Sequence, residues 1–302
     1  MSLLKSVEIV VVPTVIVASL VEAWILNRTR GDRFNWNETW ISLLDLLGRA
    51  LLPISLTSSL LALAWHYRIY TVTLQGPLAF LLLFLAEELS FYCYHRAEHR
   101  VRFFWATHAV HHSPNQLAMS TAYRQGWTAK INGAALFLAP MVWLGFRPDA
   151  AVVTLVLNLF YQFWVHTTWI PKLGWLEGLL NTPSAHRVHH ASNLEYLDAN
   201  YGGVLMVFDR LFGTYVAEQE TVPCRYGLVT PMRSRNPLVV EFQPWVELGR
   251  DMLGARNLWV SLAYLWHPPG WRPDGAGSTT EELRQQASAS QTTQLNEDTV
   301  RE

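Results

Sequence analysis

Eight of the eleven histidines fall into three short clusters: His95 and His99; His108, His111 and His112; and His186, His189 and His190. Spacings of three and four residues bring side chains to one face of a helix, so each cluster can aim its rings at one point. Neutral imidazole is the commonest protein metal ligand and suits iron, zinc, copper and nickel. One transition-metal ion takes at most about six ligands. If the clusters converge, their number argues for two metals in an all-nitrogen site.

Several other residues compete for a place in that chemistry. The first cluster, His95-Arg-Ala-Glu98-His99, also matches HxxEH, an inverted zinc-protease motif in which the glutamate is general base. That reading leaves the other histidines idle, whereas the twice-repeated HxxHH spacing employs them all. His166 ends an apolar segment at the same membrane boundary as the clusters and joins the candidate set, while His66 belongs to the opposite side. His267-Pro-Pro-Gly270 departs from the HPGG haem motif at its first glycine and has no partner histidine downstream, so it reads as a proline-rich turn. Glu88 lies two helical turns before His95 on the same face, and Asp198 and Asn200 follow the last cluster. These three are candidate acceptors for the imidazole N–H groups that metal-bound histidines direct outward. Cys93 and Cys224 are isolated and carry no assigned role.

The elements that must position these residues are largely apolar. Half of the 302 residues are hydrophobic, only 16% are charged, and there are fourteen tryptophans, which favour the headgroup level of a bilayer. A net charge of −1 gives no electrostatic case for nucleic acid. Ile9 to Leu26 reads as a retained membrane helix. Trp40 to Trp65 is apolar but holds Asp45 and Arg49, which can pair on one helix face, so its first half reads as interfacial and its second as inserted. Pro77 to Tyr94 runs straight into the first cluster, and Ala134 to Phe146 and Val152 to Trp164 form a hairpin around Arg147-Pro148-Asp149. His99 and His108 are nine residues apart, about 900° of rotation on a straight helix. A break from Arg102 to Trp105 is therefore required if both clusters share a site. Thr182 and Pro183 supply an N-cap and a first helical position ahead of the third cluster.

A positive-inside count puts the histidine side in the cytoplasm, together with the Asn27 to Glu38 loop carrying Arg28, Arg30 and Arg33, and leaves Lys5, Arg68 and Arg147 outside. The fold class expected is all-α, with four or five membrane-embedded helices beneath a cytoplasmic helical cap. Residues 1–273 read as one domain with its histidine-motif region at about 87–215, and the polar stretch 274–302 reads as disordered.

These motifs resemble the fatty acid hydroxylase and sterol desaturase superfamily of membrane di-iron enzymes, whose HxxxH, HxxHH and late HxxHH signature is met by the three clusters. Asn158 to Thr167, Asn181-Thr-Pro-Ser, Asn200-Tyr-Gly-Gly and Asp209 to Tyr215 are most similar to the alkylglycerol monooxygenase-like branch. The resemblance implies two Fe²⁺ ions held by His95, His99, His108, His111, His112, His166, His186, His189 and His190. It also implies O₂ as co-substrate, an external redox partner as electron donor, and a membrane lipid (sterol, fatty acyl or alkylglycerol ether) hydroxylated or desaturated at a C–H bond. Arg100 stands where that branch carries glutamate, and Ala185 where it often carries another histidine. The alkylglycerol ether therefore stays one candidate among these lipids and the pterin reductant of that branch is left open, while the metal ligands are intact. A zinc-dependent membrane hydrolase is the alternative, followed by a metal transporter, which needs ionisable groups at the bilayer midplane and not at span ends.

Overall fold

The computed structural model describes residues 3–29, 34–52, 56–73 and 75–301, with side chains from 11 to 290 within them. Arg30, Arg33 and the Lys5 side chain, which entered the charge count above, lie outside that description. Twelve α-helices occur among the described residues, with isolated bridges and no strand.

Among the described residues, three helices are long and apolar enough to cross a bilayer: the Val11–Thr29 part of α1 (Leu3–Thr29), α4 (Gly76–Arg100) and α7 (Pro148–Val165). Two shorter apolar helices, α3 (Thr57–His66) and α6 (Ala135–Leu144), pack on one another and against α4 and α7. Leu61, Leu138, Met141, Val142 and Ala151 form their shared core. The outer faces stay apolar, as lipid requires: Val17, Leu78, Phe80, Leu136 and Leu157 are exposed. This is an integral membrane protein.

α2 (Trp36–Leu51) is separate from α3 and amphipathic, exposing Trp40, Leu44, Leu47 and Leu51. The expected pairing of Asp45 with Arg49 gives way to longer-range anchoring. Asp45 accepts from the amides of Gln125 and Gly126 at 3.0 and 2.9 Å, and Arg49 donates to the Tyr123 carbonyl at 2.9 Å. Both groups tie α2 to the segment that follows the second histidine cluster.

α4 carries the first cluster out of the membrane and ends at Val101, whose extended backbone (φ −127°, ψ 115°) starts α5 (Arg102–His112). The break required by the nine-residue spacing is there, one residue ahead of the expected interval. Beyond α7 lie the short helices α8 (Pro183–His189) and α9 (Val207–Phe212), then α10 (Pro237–Leu253) and α11 (Leu258–Trp266). α10 and α11 pack on each other and on α5. α12 (Thr280–Arg301) occupies the stretch expected to be disordered. Its first turns contact the body of the protein: Arg284 donates to the Leu197 carbonyl at 2.9 Å, and Glu281 pairs with Arg100 at 2.6 Å.

Candidate metal centre

All nine candidate histidines are buried, and they gather into two groups. His95, His99, His108, His112 and His189 form one; His111, His166, His186 and His190 form the other. Within each group the nitrogen atoms lie within 4.8 Å of one another. Helical spacing explains the division. On α5, His108 and His112 are four apart and share a face, while His111 looks to the other group. On α8, held at its start by the Thr182 hydroxyl accepting from the Ala185 amide at 3.2 Å, His186 and His190 serve one group and His189 the other.

The hydrogen bonds fix which nitrogen faces inward. The Nδ1 atoms of His95, His111, His166 and His189 lie 2.9, 2.9, 2.6 and 3.0 Å from the carbonyls of Tyr201, Arg124, Gln162 and Ala199. A carbonyl only accepts, so each Nδ1 carries the proton and each neutral ring presents an Nε2 lone pair. Two of these lone pairs face each other, with His111 Nε2 3.3 Å from His166 Nε2, and further ring nitrogens crowd the same spots: His186 Nε2 lies 2.8 Å from His166 Nε2, and His108 Nε2 lies 3.1 Å from His95 Nε2. His99 Nε2 and His189 Nε2 are buried with no hydrogen-bond partner. Converging lone pairs repel unless a cation lies among them, and orphaned buried nitrogens are costly. The donor set therefore fits two metal ions, each held by imidazole nitrogen alone.

Burial keeps these rings in the ligating state. It pushes the His111 imidazole down to about 4, and those of His108, His112, His166, His186, His189 and His190 well below their ordinary range. Neighbouring histidines add to the effect on these rings.

The surrounding acceptors differ from those the sequence suggests. Asp198 is beside a ligand: its Oδ1 is 3.6 Å from His99 Nδ1, and its Oδ2 takes a 2.9 Å bond from Arg100, which in turn holds Glu281. Glu88 touches no imidazole. It accepts from Asn158 at 2.7 Å and from the Val204 and Leu205 amides, because the helix face it shares with His95 meets the backbone of that loop. Asn200 likewise acts on backbone, donating to the Ala185 and Val216 carbonyls from a left-handed conformation (φ 60°). It thereby braces α8 without contacting a ring.

Glu98, unassigned by the metal pattern, stands 3.2 Å from His108 Nδ1, where it meets the outward nitrogen of a candidate ligand. Sequence reasoning assigns no role to Arg124, or to Asp209 beyond its place at the head of a motif shared with the alkylglycerol monooxygenase-like branch. Buried Arg124 orients His111 through its carbonyl while its side chain joins Ser113 and Glu38 at 2.7 Å each. Asp209 accepts from the Tyr201 and Gly202 amides at 2.7 Å and so fixes the carbonyl that faces His95. Gly203 has no room for a side chain, since a Cβ there meets Asn158 at 2.3 Å. Neither His66 nor His267 belongs to either group.

Comparison with known proteins covers the same region of the chain. A family model for fatty acid hydroxylases matches residues 80–214. Human alkylglycerol monooxygenase is 37% identical over 208 residues, 69% of this chain and 46% of that protein. The Xenopus tropicalis enzyme of the same name is 38% identical over a segment of equal length. An ornithine lipid hydroxylase of Rhizobium tropici is 29% identical over 51% of this chain and 46% of its own. The chain thus spans about half the length of the curated relatives it matches. No solved structure matches it.

Proposed function

The chain belongs to the fatty acid hydroxylase family, and from that premise we propose that it is a di-iron oxygenase which uses O₂ to hydroxylate a C–H bond of a membrane lipid. The observation that carries the reading is the pair of buried all-imidazole groups, five and four rings, with no carboxylate among the nitrogens. Imidazole holds Fe²⁺ without adding negative charge, and two such ions supply the activation of O₂ toward an unactivated C–H bond.

The protein's own residues have separable tasks in this reading. His95, His99, His108, His112 and His189 hold one ion, and His111, His166, His186 and His190 hold the other. The carbonyls of Tyr201, Arg124, Gln162 and Ala199, with Glu98 and Asp198, keep the rings in one tautomer and orientation. The apolar spans beneath admit a hydrocarbon chain and limit bulk water, which favours insertion of oxygen over side reactions. Electrons come from an external redox partner on the cytoplasmic side, where the charge count places the histidines.

Relatives named for an alkylglycerol and an ornithine lipid support a lipid substrate. Desaturation shares the hydrogen-abstraction step and differs in where the second hydrogen lies. A zinc hydrolase would be independent of O₂. The test is incubation of the reconstituted, iron-loaded protein with a reductant, ¹⁸O₂ and total membrane lipid. Label in a lipid product is expected. Label confined to water-soluble products, or equal conversion without O₂, would sink the oxygenase and promote the hydrolase.

A further inference from the structure

A cavity of about 800 Å³ reaches the five-histidine group through His99, His112 and His189. Its other walls are Trp105 on α5, the Gln243 to Asp251 side of α10, the Pro268 to Arg272 strap and the first turn of α12. The charged groups lining it are unevenly matched. Asp251 is taken up by Arg102 at 2.5 Å and Asp198 by Arg100 at 2.9 Å, and Glu247 accepts from Gln243 at 2.8 Å. Arg233, Arg250 and Arg272 also line the cavity, and no ion pair holds any of them among the described residues. Glu247 keeps its charge, since its partner is a neutral amide, so the cavity sets three guanidinium groups without an ion pair against one carboxylate without one.

The outer face of the same wall is apolar. α10 exposes Leu238, Phe242, Val246 and Leu253, and α11 exposes Leu258, Trp259 and Trp266, the tryptophans at 80% and 64%. An amphipathic helical hairpin with outward tryptophans fits the headgroup boundary of a bilayer. Arg250 lies four residues beyond Val246 and so continues the row that begins at Phe242, which sets its guanidinium at the edge between apolar face and cavity.

We propose that this cavity binds the anionic headgroup, a phosphate or carboxylate, of a lipid substrate, with Arg250, Arg272 and Arg233 as its partners. The proposal rests on the oxygenase reading and narrows its substrate to lipids bearing a negative headgroup. Guanidinium pairs with such oxygens through two parallel, charge-assisted hydrogen bonds. The volume is that of an ordinary small-molecule site, and the apolar hairpin favours an amphiphile over a free anion.

The test measures binding, not turnover, on the full chain loaded with iron in nonionic detergent. Radiolabelled dodecyl phosphate is the probe, with dodecanol and inorganic phosphate as competitors. Saturable binding of one dodecyl phosphate per chain is expected, with both competitors weaker by about tenfold or more. The double variant Arg250→Gln/Arg272→Gln should weaken the probe by about tenfold or more. Arg256→Gln, on the α10–α11 turn outside the cavity, should leave it unchanged and controls for charge and folding. Equal competition by dodecanol, unchanged binding in the double variant, or a loss in Arg256→Gln as large as in the double variant overturns the proposal. Equal competition by inorganic phosphate also overturns it, since the site then belongs to a soluble anion. Because no O₂ or reductant is needed, headgroup binding without lipid oxidation removes only the oxygenase reading. Oxidation of lipids without headgroup preference removes only this one.

Discussion

Asp198 is the side chain on which a single substitution says most about the metal centre. It holds a left-handed backbone (φ 57°), uncommon for a residue with a Cβ, and it stands between His99 and Arg100. Asp198→Asn keeps the shape and removes the charge. Outer partners of metal-bound histidine typically affect metal affinity by about 10- to 100-fold, so the variant should lose metal at correspondingly lower chelator concentration, read by metal analysis after dialysis. Retention equal to the parent would show that the 3.6 Å contact with His99 has no bearing on the ligand. Residue chemistry was legible here in one direction only. Imidazoles at helical spacing announce themselves, whereas the carbonyls of Tyr201, Ala199, Arg124 and Gln162 that orient them have no side-chain signature.

At the scale of elements, α8 is a seven-residue helix that supplies ligands to both groups and is too short to be stable by itself. Its order comes from its ends. Thr182 caps the start, and Asn200 holds the Ala185 carbonyl. Thr182→Ala should cost about 1 kcal/mol and lower the thermal midpoint by a few degrees, measured by a melting curve of the detergent-solubilised protein. Losing metal from both groups together would accompany it. The cap and the following proline were readable because N-termini use few residue types. The break between α4 and α5 was readable as a necessity of rotation, but its site at Val101 was not, since nothing in Val101 itself stops a helix. The α12 attachment was hidden for another reason: a polar sequence tells of the missing core, not of particular pairs such as Glu281 with Arg100.

For the whole molecule, hydropathy alone marked the spans, because a bilayer demands length and apolarity before anything else. The exposed apolar faces of α10 and α11 escaped it, since amphipathic helices of this length resemble soluble ones in sequence. The orientation proposed from the charge count, with the histidine side in the cytoplasm, has a direct test: a cysteine placed at Arg28 should resist a membrane-impermeant maleimide added to intact cells and react after lysis. Labelling before lysis would invert the topology.

One feature of the paired histidine groups reaches beyond their chemistry. α5 and α8 each send rings to both, so neither group can shift without dragging the other. Filling one ion position aligns two helices that also form half of the second position, and the ordering cost is met once for both. Titration of the metal-free protein should consequently be sigmoidal, with half-loaded molecules scarce at every point and a population divided between empty and full. A native mass spectrum at half saturation reads this directly. A dominant single-metal species would show instead that the two positions fill as strangers.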